Sequence, residues 1–200
     1  VTRSESVNLL YRLRPYVDVP AGSFARDAID WARFHVIATG FAGNRFEPDD
    51  GVTRIQGANW LWRTMDRPAT AANDPFTDDD ESAWYADALD WAADAGWVDA
   101  DDPGTPTAFV PGGVLTRGDA TRWLWHMAGE KAVTYEHPFS DVPGPSELDD
   151  AVDWAKGFNL VNGFPDDTFR PEAPITRAQF LRMIHQLANR ENAWNTTPPS

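Results

Sequence analysis

Phe169-Arg170-Pro171-Glu172-Ala173-Pro174-Ile175-Thr176-Arg177-Ala178-Gln179-Phe180 is the stretch that decides the fold, because both of its ends recur at fixed spacing. An aliphatic-Thr-Arg triplet appears at Val1-Thr2-Arg3, Val52-Thr53-Arg54, Leu115-Thr116-Arg117 and Ile175-Thr176-Arg177, in steps of 51, 63 and 60 residues. Phe-x-Pro stands seven residues before the last three threonines, at Phe46 and Pro48, Phe109 and Pro111, Phe169 and Pro171. Further upstream, an aromatic precedes an aspartate by two: Tyr16 and Asp18, Phe76 and Asp78, Phe139 and Asp141. A tryptophan follows each aspartate by 13 residues, inside Ala28–Ala32, Ala88–Ala92 and Ala151–Ala155.

A period near 60 residues signals repeat architecture. Each unit holds two amphipathic helix candidates. The first carries Trp31, Trp91 or Trp154; the second starts at Thr-Arg and ends near Met65, Met127 or Ala188. Residues 1–15 read as the second half of a preceding repeat, 16–66, 76–129 and 139–190 as three repeats, and 191–200 as a disordered tail or linker. The prediction is all-α, with seven helices: one orphan and three pairs. The chain starts inside a repeat, so it reads as a fragment of something longer. A lone helix pair buries one face only, so three pairs are expected to pack about a common axis as one composite domain.

The 200 residues are 42% hydrophobic and 12% aromatic, with ten tryptophans, enough for a real core. A net charge of −14 disfavours nucleic acid and anionic lipid as partners. There is no cysteine and no apolar run long enough to cross a membrane, so thiol chemistry, disulfides and membrane insertion are not expected.

Threonine explains the helix start: its hydroxyl accepts an orphan N–H of the first turn, worth about 1 kcal/mol. Glu5, Gln56 and Gln179, three residues on, complete capping boxes, while Asp119 is short for that role. Arginine at the first helical position is not explained by capping, since the helix dipole disfavours a cation there. Two accounts stand side by side. Arg3, Arg54, Arg117 and Arg177 pair with acids such as Asp18, Asp78 or Asp141; or each guanidinium converges with free helical N–H groups on one bound anion.

The combined motif resembles the S-layer homology domain family over about residues 1–190, most closely from Phe139-Ser140-Asp141 through Gly163-Phe164-Pro165-Asp166-Asp167 to Ile175-Thr176-Arg177-Ala178-Gln179. The resemblance implies a three-lobed pseudo-threefold spindle around a central helical bundle. It also implies a secreted bacterial cell-surface module that anchors non-covalently to the cell wall, often on a pyruvylated polysaccharide. The Thr-Arg arginine is the family's ligand-contacting residue, here Arg3, Arg54, Arg117 and Arg177. Gly40, Gly163, Asp18 and Asp141 complete the candidate ligand-binding set.

Repeat 2 departs from the pattern. It has 25 residues from Trp91 to Thr116 against 22 in its sisters, and Ala100 replaces the glycine of Gly40 and Gly163. If that glycine lets a sugar approach, the groove using repeat 2 is altered or empty. Arg54 and Arg177 therefore rank first, because Arg117 follows the irregular loop. Alanine at Arg54 or Arg177 is expected to weaken wall binding with little change in melting temperature. In the pairs Trp60 with Trp62 and Trp123 with Trp125, one member is expected in the core and the other near a groove.

Neither catalysis, a metal nor a cofactor is expected. His35, His126, His137 and His185 lack a metal or triad spacing, the aspartate clusters lack an EF-hand pattern, and Asp30, Asp90 and Asp153 repeat as structure. Polar clusters such as Asp78-Asp79-Asp80 and Asp166-Asp167 read as turn formers, a calcium loop being the minor alternative. The competing function is a protein-interaction or surface-layer assembly module that keeps the fold without glycan. An enzyme whose catalytic domain lies elsewhere is the weakest reading.

Overall fold

Each Thr-Arg triplet from the second onward starts a helix, as its capping chemistry requires. The computed structural model describes residues 14–71, 76–78, 80, 82–98, 108–134, 136–142 and 144–190. The expected orphan helix with Arg3 and Glu5, the position of Ala100 and the expected 191–200 tail lie outside the described residues. Six α-helices follow in order: α1 (Arg26–Phe34), α2 (Arg54–Thr64), α3 (Ala86–Asp94), α4 (Arg117–Met127), α5 (Glu147–Gly157) and α6 (Arg177–Ala188). Among the described residues there is no strand, only isolated bridges, so the fold is all-α.

Thr53 and Thr176 form full capping boxes with Gln56 and Gln179. At Thr116 the hydroxyl still accepts the Asp119 N–H, but the short Asp119 carboxylate takes the Thr116 hydroxyl proton at 2.9 Å. That leaves Asp119 turned toward its neighbours, which matters below.

The repeats hand over to one another. Helix α3 packs on α2, α5 on α4, and α1 on α6. The first helix of each repeat thus lies on the second helix of the repeat before it, and the last repeat closes on the first. The backbone repeats this closure. Val52 N–H donates to Ile175 O at 3.1 Å, Ile175 N–H to Leu115 O at 3.0 Å, and Leu115 N–H to Val52 O at 2.9 Å. One contiguous core draws on all three repeats, with Leu61, Trp123, Leu124, Trp154, Phe180, Leu181 and Ile184 fully buried. Each such side chain contributes roughly 1.5–3 kcal/mol by leaving water.

Within a repeat, the aspartate of the aromatic-x-Asp motif clasps the Phe-x-Pro turn. Both oxygens of Asp18 accept from Phe46 and Glu47 N–H at 2.8 Å, those of Asp78 from Phe109 and Val110, and those of Asp141 from Phe169 and Arg170. The middle residues Glu47, Val110 and Arg170 are left-handed, with φ of 59, 55 and 59°. Such strain costs on the order of 1–3 kcal/mol and persists because charge-assisted hydrogen bonds over-determine it.

Gly40 and Gly163 have a local cause too. A Cβ on Gly163 would lie 2.1 Å from Cε1 of Phe139, and one on Gly40 would lie 2.4 Å from Cε1 of Tyr16. The glycine makes room for the aromatic of its own repeat and, at Gly40, for the Arg45 carbonyl, which a Cβ would meet at 2.2 Å.

Candidate functional site

The three described Thr-Arg arginines are buried: Arg54 is 1% exposed, Arg177 3% and Arg117 9%. Each guanidinium Nε donates to the Phe-x-Pro carbonyl of the next repeat around the ring. Arg54 reaches Phe109 O at 2.8 Å, Arg117 reaches Phe169 O at 3.0 Å and Arg177 reaches Phe46 O at 2.9 Å. A second nitrogen of Arg117 donates to Asn162 O and one of Arg177 to Thr39 O. Aromatic faces complete the housing, with Arg177 4.4 Å from the Phe46 centroid and 5.1 Å from that of Trp60. Burial pushes the guanidinium pKa of Arg117 and Arg177 down, and neighbouring acids partly oppose this.

The helical N–H groups are not free. Those of Arg54, Arg117 and Arg177 donate to Gly113, Ala173 and Asp50 carbonyls, and those of Ile55, Gly118 and Ala178 to Pro111, Pro171 and Pro48 carbonyls. The third N–H goes to the capping threonine. The picture of a guanidinium and open helix-start amides meeting on one anion is therefore corrected: the neighbouring repeat occupies those amides. Nor do Asp18, Asp78 and Asp141 serve as dedicated partners of the arginines; they hold turn backbone.

The arginines nonetheless floor two grooves. The first, about 270 Å³, sets Arg177 beside Thr39, Gly40 and Phe41 of the repeat-1 loop, with Gln56, Asn59 and Arg63 of α2 on its wall. Its lip is Trp84 of repeat 2, 64% exposed. The second, about 330 Å³, sets Arg117 beside Leu160, Val161 and Asn162, with Gln179, Arg182 and Met183 of α6 on its wall. Its lip is Phe24 of repeat 1, also 64% exposed. Each groove is thus built from all three repeats. Each has two guanidiniums and no carboxylate in its lining, a positive focus on a chain of net charge −14. Asn59 is 1% exposed and its buried amide nitrogen has no hydrogen-bond partner, leaving a donor unsatisfied at the first groove.

The geometry reorders the arginines. Because each pairs with the following repeat, Arg54 meets repeat 2 at Phe109, whereas Arg117 meets the repeat-3 loop at Phe169 and Asn162. Arg117 and Arg177 are the groove arginines. Sequence reasoning passed over Phe24 and Trp84, although each follows its clasp aspartate by six residues. It also passed over Asn59, Arg63 and Arg182, whose role depends on which loop faces α2 and α6. The tryptophan pairs divide differently from the expectation. Trp60 and Trp123 lie beside the arginines, while Trp62 and Trp125 donate to connector carbonyls of Pro68 and Lys131.

The fold gathers His137, Asp149 and Asp153, distant in sequence, within 4.8 Å of one another. His137 Nδ1 accepts from Phe139 N–H at 3.0 Å, Nε2 lies 3.0 Å from Asp149, and Asp153 accepts the His137 backbone N–H. Nδ1 is thus hydrogen-bonded within the chain, while Nε2 approaches Asp149 without hydrogen-bond geometry, and the group reads as a brace for the segment entering repeat 3. Burial raises the Asp153 pKa against the pull of that hydrogen bond. Asp166 caps a turn by accepting from Thr168 and Arg170, as expected of a turn former.

The family profile of the S-layer homology domain matches residues 15–56, 75–121 and 138–181, the three repeats of the ring. The chain belongs to the S-layer homology domain family. It is similar to a cellulosome-anchoring protein of Acetivibrio thermocellus, 24% identical over 88% of this chain and 39% of that protein. It is also similar to an exoglucanase of the same species, 25% identical over 85% of this chain and 16% of that protein. An amylopullulanase of Thermoanaerobacterium thermosulfurigenes is 25% identical over 82% of this chain and 9% of that protein. The S-layer homology chain thus spans well under half the length of these relatives.

Proposed function

We propose that this chain is a non-catalytic cell-wall anchoring module of a secreted bacterial surface protein, and that its two open grooves hold an acidic wall polysaccharide. The observation that carries the reading is the shared groove composition: two guanidiniums, no carboxylate and an exposed aromatic lip. A carboxylate such as a pyruvate ketal meets its charge there, and a sugar ring meets a flat apolar face. Arg117 and Arg177 supply charge from the floor while bracing the loops. Arg63, Arg182 and Asn59 supply donors from the wall, and Gly40 lies in the lining of the first groove. Two sites on one frame give retention on a polymer beyond either site alone. The likeness to a cellulosome-anchoring protein supports anchoring. The enzymes among the relatives share only a small part of their length with this chain, so their activities are not carried over.

The test uses the lips, which do not brace the fold. Phe24→Ala with Trp84→Ala is expected to lower retention on purified wall at least tenfold with less than about 4 °C change in melting temperature. Chemical removal of pyruvate from the wall is expected to do the same to the wild type. Undiminished retention in both cases refutes the reading, and a concentration-dependent oligomer without wall binding favours the assembly alternative.

A further inference from the structure

The ring has three arginines at equivalent positions, yet the third differs chemically from the other two. Where Gln56 and Gln179 stand three residues after their threonines, the third position has Asp119. Its carboxylate lies 3.5 Å from Arg54 Nη1 and also pairs with Arg122 Nη2. Where Phe24 and Trp84 stand six residues after their clasp aspartates, the third position has Glu147. Glu147 lies 2.6 Å from His126 Nε2 and 3.9 Å from Arg122 Nη1. His126 in turn contacts Glu130 at 3.0 Å. The glutamine amide and the aromatic face of two grooves are therefore replaced, in the third, by two carboxylates that pair with its arginines, Asp119 with Arg54 and Arg122 and Glu147 with Arg122. Burial strengthens that internal pairing: Arg54 is 1% exposed and the Asp119 side chain 13%.

We propose that Asp119 and Glu147 act as built-in substitutes for the ligand's acidic group, so that the module has two anion sites and a third whose arginines are already neutralised by its own carboxylates. This rests on the anion reading of the two open grooves. An incoming carboxylate would meet the like charge of Asp119 at Arg54 and that of Glu147 at Arg122, which gives these two residues the role of specificity determinants. The corollary is that the third position accepts an anion when they are replaced by what its sisters carry. Gln at position 119 also restores the capping box seen at Thr53 and Thr176, so that change is compatible with the fold.

The experiment gives each groove its own reporter: the Trp60 indole N–H, the Met183 methyl and the Trp123 indole N–H, which lies beside Arg54. The full chain is titrated by NMR with a monosaccharide bearing a pyruvate ketal, and with its neutral counterpart as control. In the wild type, Trp60 and Met183 are expected to shift while Trp123 stays still. In Asp119→Gln/Glu147→Trp, Trp123 is expected to shift as well, with an affinity within about tenfold of the others. Asp119→Gln/Glu147→Gln, which removes charge without adding a ring, guards against a misfolded variant and is expected to show a weaker Trp123 response. A wild-type Trp123 response matching the other two overturns the inference, as does a silent Trp123 in both folded variants. Silence of Trp60 and Met183 in the wild type refutes the underlying anion reading instead.

Discussion

Arg177→Ala is expected to destabilise the protein strongly, in contrast to what a surface ligand contact would do. The side chain makes two hydrogen bonds of 2.9 Å, to Phe46 O and Thr39 O, from a position 3% exposed. Hydrogen bonds from a charged donor are worth about 1.5–3 kcal/mol each. The faces of Phe46, Trp60 and Phe41 add cation–π contact of about 0.5–2 kcal/mol. Truncation also leaves two carbonyls without their donor. Allowing for partial rehydration of the site, the loss is about 3–5 kcal/mol. For a chain of this size, 1 kcal/mol corresponds to about 2–4 °C, so the melting temperature is expected to fall by roughly 6–20 °C. Thermal and urea unfolding by circular dichroism measure it, with Arg182→Ala as a control expected to cost under about 1 kcal/mol. A shift below 2 °C for Arg177→Ala refutes the clamp and returns the arginine to the role of a pure ligand contact. The consequence for assays is direct: loss of wall binding in Arg177→Ala reports unfolding as much as recognition.

Further predictions test the supports of the grooves. Gly163→Ala places a methyl 2.1 Å from Phe139 Cε1 and is expected to cost about 1–3 kcal/mol, read as a lower urea midpoint. Val110→Gly relieves a β-branched residue at φ 55° and is expected to stabilise by about 0.5–1 kcal/mol in the same assay. Burial alone would raise the Asp18 pKa, but the Phe46 and Glu47 N–H groups with the Arg45 charge outweigh it and hold the pKa below the ordinary 3.8. A folded pKa lowered in this way contributes stability above the unfolded value that is lost as pH falls below about 4. Urea midpoints at pH 7 and pH 3 should therefore converge in Asp18→Asn relative to the wild type.

The second helix of each described repeat was legible with its start and end, and the first by its tryptophan, because threonine capping and 3.6-residue periodicity are local. The clasp was visible as spacing, aromatic-x-Asp against Phe-x-Pro, but its partners were not, since the carboxylate meets backbone some 28 residues away. Arginine illustrates the limit. Its repetition was plain, and so was its conflict with the helix dipole. Its true partner, a carbonyl of the next repeat 131 residues away for Arg177, depends on how the ring closes. The same closure decides that Arg54 meets repeat 2, at Phe109, and Arg117 repeat 3, at Phe169. Phe24 and Trp84 lie at a fixed offset from their aspartates, yet two exposed aromatics in one register look like scattered surface residues until both are seen on groove lips.

The hydrogen-bonded triangle of Val52, Leu115 and Ile175 makes this array a circle rather than a row. An open solenoid propagates from any nucleus and ends in repeats with a specialised outer face. Here each repeat supplies the missing neighbour of another, and no repeat is terminal. Removing one repeat does not shorten the assembly; it exposes two cut surfaces and breaks every groove, since each is drawn from three repeats. Unfolding should accordingly be a single event. A ring also has no preferred starting point: cutting it in a connector and joining the old ends by a long enough linker would preserve every contact described, so permuted chains should hold the same structure.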